Sequence, residues 1–176
     1  CALPISFPSV DRVHPLTEVT NGKANVELLN QVHYDAVTIG NNEGLTNSHE
    51  QLDELYDDAN FDVILGNILD NTTKLLPKWS KPSKIITTQQ KTRVLLIGLT
   101  APYLLTYPIL GWQPLKPENV LPKILADNEG KYDVCVLLSH LGLPTDRILA
   151  RKFPKLDVII GAHTHHLLVH GEKINN

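Results

Sequence analysis

The chain has 176 residues, 42% of them hydrophobic and 20% charged, with a formal charge of -3. That is enough apolar material for one core, so a single domain spanning residues 1–176 is expected. The lack of a basic excess excludes nucleic-acid polymers and anionic membrane surfaces as expected partners, and no apolar stretch approaches the length of a membrane span.

The first residues, Cys1-Ala2-Leu3-Pro4-Ile5-Ser6, lack the charged flank and long apolar region of a secretory signal. Two cysteines cannot build a disulfide framework, and Cys135 falls in an apolar run where a buried free thiol is the ordinary reading, so a cytoplasmic setting is expected. No methionine occurs, even at position 1, so the chain reads as a portion of a longer product. The sequon Asn71-Thr72-Thr73 carries little weight outside secreted chains.

Along the chain, residues 23–32 place Val26, Leu28 and Leu29 at helical spacing, and residues 36–39 form the first buried strand. A helix over 48–56 follows, with Ser48 as its cap, and then a strand at 63–65. Residues 84–88 favour β-structure and lie only five residues before the strand at 94–99, which predicts a hairpin and hence a mixed sheet. The segment 102–117 holds four prolines with Tyr103, Tyr107 and Trp112, too interrupted for a regular element. It reads either as the lining of a ligand groove or as a surface loop pinned by its aromatics. A helix over 117–126, a strand at 134–138, a helix over 145–153 capped by Thr145 and a strand at 158–160 complete an α/β layered pattern.

Three of these strands run into polar clusters: Gly40-Asn41-Asn42-Glu43, Ser139-His140 and Gly161-Ala162-His163-Thr164-His165. Ligands of open α/β sheets bind at the carboxyl ends of the strands, so clusters far apart in sequence can converge. His163 and His165 are two apart and would project to the same side of an extended segment. A lone histidine is more often structural, which is the reading for His14, His33, His49 and His170. Imidazole nitrogen with amide or carboxylate oxygen suits zinc, manganese, iron or cobalt, and the absence of cysteine among these residues argues against a structural zinc knot.

With these residues the chain resembles the calcineurin-like metallophosphoesterase superfamily, on the branch of 5'-nucleotidases, UDP-sugar hydrolases and 2',3'-cyclic-nucleotide phosphodiesterases. Gly40-Asn41-Asn42-Glu43 matches the family's Gly-Asn-His-Glu, and Gly161-Ala162-His163-Thr164-His165 its Gly-His-x-His, with Ser139-His140 between them in the family's order. The resemblance covers nearly the whole chain and implies a layered sandwich of mixed β-sheets flanked by helices, incomplete at the N-terminus and also short of the family's C-terminal end. It implies hydrolysis of a small nucleotide or other phosphoester by water activated between two divalent metal ions. Asn41, His140 and His163 would ligate one ion and His165 the other.

Two departures stand out. The family's Asp-x-His motif is absent, and Pro8 occupies the place of the carboxylate that bridges both ions, with Asp11 nearby. Asn42 stands where the family has a histidine, and an amide has no useful pKa for general acid catalysis. The expected catalytic roles are therefore phosphate positioning by Asn42 and proton handling by Glu43, unless Glu43 only fixes its own turn. The competing expectations are a cyclic-nucleotide phosphodiesterase with the same site, or a catalytically inactive ligand-binding domain.

Overall fold

A computed structural model describes residues 14–174 and the backbone of Ile5–Ser6. In chain order the elements are β1 (Ile5–Ser6), α1 (Pro15–Thr20), α2 (Lys23–Gln31), β2 (Ala36–Val37), α3 (Asn41–Thr46), α4 (His49–Leu55), β3 (Asp62–Ile64), β4 (Ile68–Asp70) and β5 (Ser80–Lys81). Then follow β6 (Ser83–Thr87), β7 (Arg93–Thr100), a 3-10 turn (Tyr107–Leu110), β8 (Trp112–Pro114), α5 (Pro117–Asp127), β9 (Val134–His140), α6 (Leu143–Lys152) and β10 (Val158–Gly161). One sheet has the order β1-β2-β3-β5 with all pairs parallel, and the other the order β10-β9-β7-β6. In the second sheet β6 and β7 form the expected antiparallel hairpin, while β7, β9 and β10 are parallel, so the sheet is mixed.

Alternation along the strands explains the layering. Ala36, Ile64, Val94, Leu96, Val136 and Leu138 form a core between the two sheets. Their neighbours Val37, Val63 and Leu65 pack outward with Val26, Leu52 and Leu55 of α2 and α4. On the other side Leu95, Ile97, Leu99 and Leu137 pack outward with Leu121, Ile124, Leu125 and Leu149 of α5 and α6. Near-continuous apolar strands are what burial on both faces requires. The result is the expected α/β sandwich.

The backbones approach closely at Gly98, whose oxygen accepts a hydrogen bond at 2.9 Å from the N–H of Gly66, in the bend that follows β3 of the opposite sheet. A Cβ at Gly98 would lie 1.8 Å from the Ile64 backbone oxygen, so only glycine fits.

Three sequence expectations change. The segment 102–117 is more regular than its prolines suggest: β8 pairs with β4, and Tyr107 and Trp112 are fully buried. Burial of those rings offsets the helix- and strand-breaking prolines. The last helix begins at Leu143 behind Gly142, two residues before the expected cap Thr145, because Pro144 falls at a first-turn position where its missing N–H costs nothing. The polar run after Ile39, read from the sequence only as a polar cluster at a strand end, forms a short helix, α3.

Candidate metal centre at the strand ends

The converging strand ends follow from the parallel register. Thr100 of β7 pairs with His140 of β9, and Ser139 pairs with Gly161 of β10, so both histidine-bearing ends finish at one level. The Ala162 backbone N–H extends the ladder to the Ser139 oxygen at 2.9 Å. From the opposite sheet, the stretch after β2 delivers Asn41 as the first residue of α3.

Asn41, His140 and His163 come together. The Asn41 Oδ1 atom lies 2.9 Å from His140 Nε2 and 3.0 Å from His163 Nδ1, across separations of 99 and 122 residues in sequence. Burial pushes the His140 imidazole down to about 4, helped by its proximity to His163 and His165, and burial also lowers His163. Both rings are therefore neutral at pH 7 and each offers a lone pair. The buried Nδ1 of His140 has no hydrogen-bond partner.

This donor set fits a divalent ion. Ligands about 2.1 Å from a common metal and at right angles to one another are about 3.0 Å apart, the spacing found around Asn41 Oδ1. Two neutral nitrogens and an amide oxygen leave the net charge of such a centre positive. Among the described residues no group of three or more His, Cys, Asp or Glu side chains is arranged to hold a metal, so a metal held here would need the Asn41 amide as a ligand.

His165 stands beside the trio. It is exposed on the groove of about 940 Å³ that His140 and His163 also line. The extended geometry expected for this pair does not hold: β10 ends at Gly161, and His163 and His165 take left-handed φ values of 81° and 56°. Non-glycine residues rarely adopt that region, and the strain sits where His163 meets Asn41 and His140. Pro8 and Asp11 fall outside the described residues.

Asn42 is half-buried next to the trio, with its Oδ1 accepting from Asn41 Nδ2 at 3.3 Å. Glu43 is fully buried and its Oε2 accepts from the Gly40 backbone N–H at 2.9 Å, closing a capping box on α3. Of the two sequence readings, this bond supports a carboxylate that fixes its own turn. Of the histidines read as structural, His14 caps α1 and His49 stacks on Trp112 with 3.9 Å between ring centroids, while His170 is exposed on the groove.

Sequence reasoning missed three contributors. Tyr103, noted only as part of an aromatic segment, brings its hydroxyl to 3.4 Å from His163 Nε2. Asn67 pairs its side-chain amide with the Thr100 backbone, accepting at 3.0 Å and donating at 2.7 Å, and so holds the end of β7. Asp146 of α6 is buried and accepts from the Ser139 hydroxyl. A Gly-Asn pair directly after a buried strand was the available signal for Asn67; an aspartate in the first turn of a helix gave none for Asp146.

Burial raises the Asp146 carboxyl to about 6, with the Ser139 hydroxyl acting in the opposite direction. The protonated form is the one the folded chain favours. Its stabilising contribution is thus complete below the unfolded value of about 4 and is lost as pH rises through about 6. In metal-free protein we expect the unfolding free energy to fall by on the order of 2 to 3 kcal/mol from this group between pH 4 and pH 7. Urea titrations of wild type and Asp146→Asn across that range check it, since the variant should lack this part of the slope.

No family model matches the chain. An uncharacterised metallophosphoesterase of Bacillus subtilis, YunD, is 42% identical over 166 residues, covering 94% of this chain and 36% of that protein. A probable 5'-nucleotidase of Treponema pallidum is 28% identical over 154 residues, covering 84% of this chain and 25% of that protein. Among solved structures, a 5'-nucleotidase precursor from Thermus thermophilus superposes with a TM-score of 0.77 at 27% identity, over 86% of this chain and 30% of that one. The chain thus spans between a quarter and just over a third of the length of these relatives.

Proposed function

We propose, from the premise that this chain belongs to the metallophosphoesterases on their 5'-nucleotidase branch, that the protein hydrolyses phosphoesters of nucleotides with divalent metal ions. The observation that carries this reading is the convergence of His140 Nε2 and His163 Nδ1 on Asn41 Oδ1. These three side chains would hold one ion, and His165 would contribute to a second. Bound there, divalent ions lower the pKa of water, orient the phosphoryl group and offset its charge during in-line displacement.

The chain's own residues prepare the site. Burial keeps both imidazoles unprotonated, so neither must lose a proton before it can ligate. The neutral Asn41 amide preserves positive charge for an anionic substrate. Asn42, beside it, orients the phosphate by donating its amide hydrogens, and Glu43 holds the turn that presents both asparagines. The groove along β10 and α6 is large enough for a nucleotide. The inner core that the two sheets share among the described residues supports residues 1–176 as one partial catalytic domain. No helix among the described residues is long and apolar enough to cross a membrane. The cytoplasmic setting we propose draws on the buried free thiol of Cys135.

The test is hydrolysis by the full-length protein, with manganese and with excess chelator, followed as phosphate release from nucleoside monophosphates, as UMP formation from UDP-sugars and as ring opening of 2',3'-cyclic nucleotides to nucleoside monophosphates. Hydrolysis of at least one nucleotide class that the chelator stops is expected; none with any of the three would overturn the reading. Within it, Asn42→Ala should lower kcat by roughly 10-fold or more, in the range of a lost transition-state hydrogen bond, without loss of bound metal. A change of only about two- to three-fold would remove Asn42 from the chemistry.

A further inference from the structure

Asp146 lies outside the ligand trio, yet it touches the backbone that carries both histidines. Its Oδ1 accepts from the Ser139 hydroxyl, and the Ser139 hydroxyl oxygen itself accepts from the Leu141 backbone N–H at 3.3 Å. Ser139 and Leu141 flank His140. The Ser139 carbonyl accepts from Ala162 N–H at 2.9 Å, and Ala162 precedes His163. A Cβ on Gly161 would stand 2.4 Å from Asp146 Oδ2, so the carboxyl also rests directly against the end of β10.

Stability gives a poor account of this residue. Asp146 is only 6% exposed, and no salt bridge to a cation is formed by it among the described residues. A buried carboxyl with a hydroxyl partner is costly compared with an apolar side chain of similar volume. What it supplies is register, because α6, the end of β9 and the end of β10 all meet at its two oxygens.

We propose that Asp146 is a positioning residue that locks the His140 and His163 strand ends together through Ser139 and Gly161. Its effect on metal affinity rests on the proposed metal centre; its effect on the strand ends does not. Outer partners of this kind typically change metal affinity about 10- to 100-fold when removed.

The experiment combines hydrogen exchange of the metal-free full-length protein with manganese titration of wild type, Asp146→Ala, Asp146→Asn and Ser139→Ala. Asp146→Ala should speed exchange of the Leu141 and Ala162 amides by roughly 10-fold or more while the amides of Leu95 to Ile97 are unchanged. It should also weaken manganese binding by about 10- to 100-fold. Asp146→Asn, which keeps an acceptor for Ser139, should restore both to within about 3-fold, and Ser139→Ala, which leaves the Asp146 side chain in place, should reproduce the faster exchange of Asp146→Ala, a result that packing of Asp146 alone would not predict. Should Asp146→Ala not fold, Ser139→Ala must show the faster Ala162 exchange in its place. Unchanged exchange at Ala162, acceleration spread over the whole sheet, or no rescue by asparagine overturns the proposal. If wild type binds no manganese, the metal reading falls, and the exchange pattern alone decides the role of Asp146.

Discussion

Replacing His140 by alanine is expected to lower nucleotide hydrolysis by about 10³-fold or more, with little loss of fold. Removing one of three protein donors takes away an interaction worth several kcal/mol at the reacting phosphate, and each 1.36 kcal/mol is a factor of ten in rate. The structural cost should be small by comparison. His140 is buried, one of its ring nitrogens lacks a partner, and burial already disfavours its charged form. Deleting such a group relieves an unsatisfied polar atom while it opens a cavity, and the two effects oppose each other. Steady-state kinetics with a urea unfolding curve separate them: a rate loss below about 10-fold, or one that tracks unfolding, would contradict the role given to His140.

The largest expected effect on stability comes from Gly98→Ala, a single methyl group. The added Cβ would meet the Ile64 backbone oxygen at 1.8 Å and the Ile64 carbonyl carbon at 2.5 Å. No side-chain rotation relieves a clash between two backbones, so the sheets must move apart. That separation breaks the Gly66-to-Gly98 hydrogen bond and loosens the inner core. Overpacking of this kind costs about 1–3 kcal/mol and the lost buried bond about 1–3 kcal/mol more, so a destabilisation of at least about 3 kcal/mol is expected. Thr38 Oγ1, 3.0 Å from the same added carbon, leads through Ile39 and Gly40 to Asn41, so metal affinity should fall as well. Denaturant unfolding of wild type and variant measures the first effect; a difference under about 1 kcal/mol would mean that the two sheets are not held at this spacing.

Much of the architecture was legible because burial leaves a strong mark. The apolar runs around Val94 and Val134 are covered strands as expected, and the short link between the 84–88 run and β7 required a hairpin, whereas the similar run around Val158, read as a buried strand, forms the edge strand β10 with Val158 exposed and Ile159 and Ile160 half-buried. The convergence of Asn41, His140 and His163 was legible too, since parallel strands present their carboxyl ends together. Other features depend on contacts that no local pattern announces. The α3 helix is held by the buried Glu43 carboxylate on Gly40, in a stretch whose composition suggests a loop. Tyr107 and Trp112 become core only because β8 finds β4, far earlier in the chain. The left-handed backbone at His163 and His165 opposes their intrinsic preference and is imposed by tertiary surroundings. Gly98 was the missed opportunity, because a lone glycine inside a buried strand is a sign of close backbone approach.

Metal stoichiometry tests the central claim most directly. Full-length protein is equilibrated with manganese or zinc, free ion is removed, and the retained metal is counted for wild type, Asn41→Ala and His163→Ala. At least one ion should be retained per wild-type chain and lost in both variants, with folded structure preserved. Wild-type protein that retains neither metal, or variants that hold it as tightly as wild type, would contradict it.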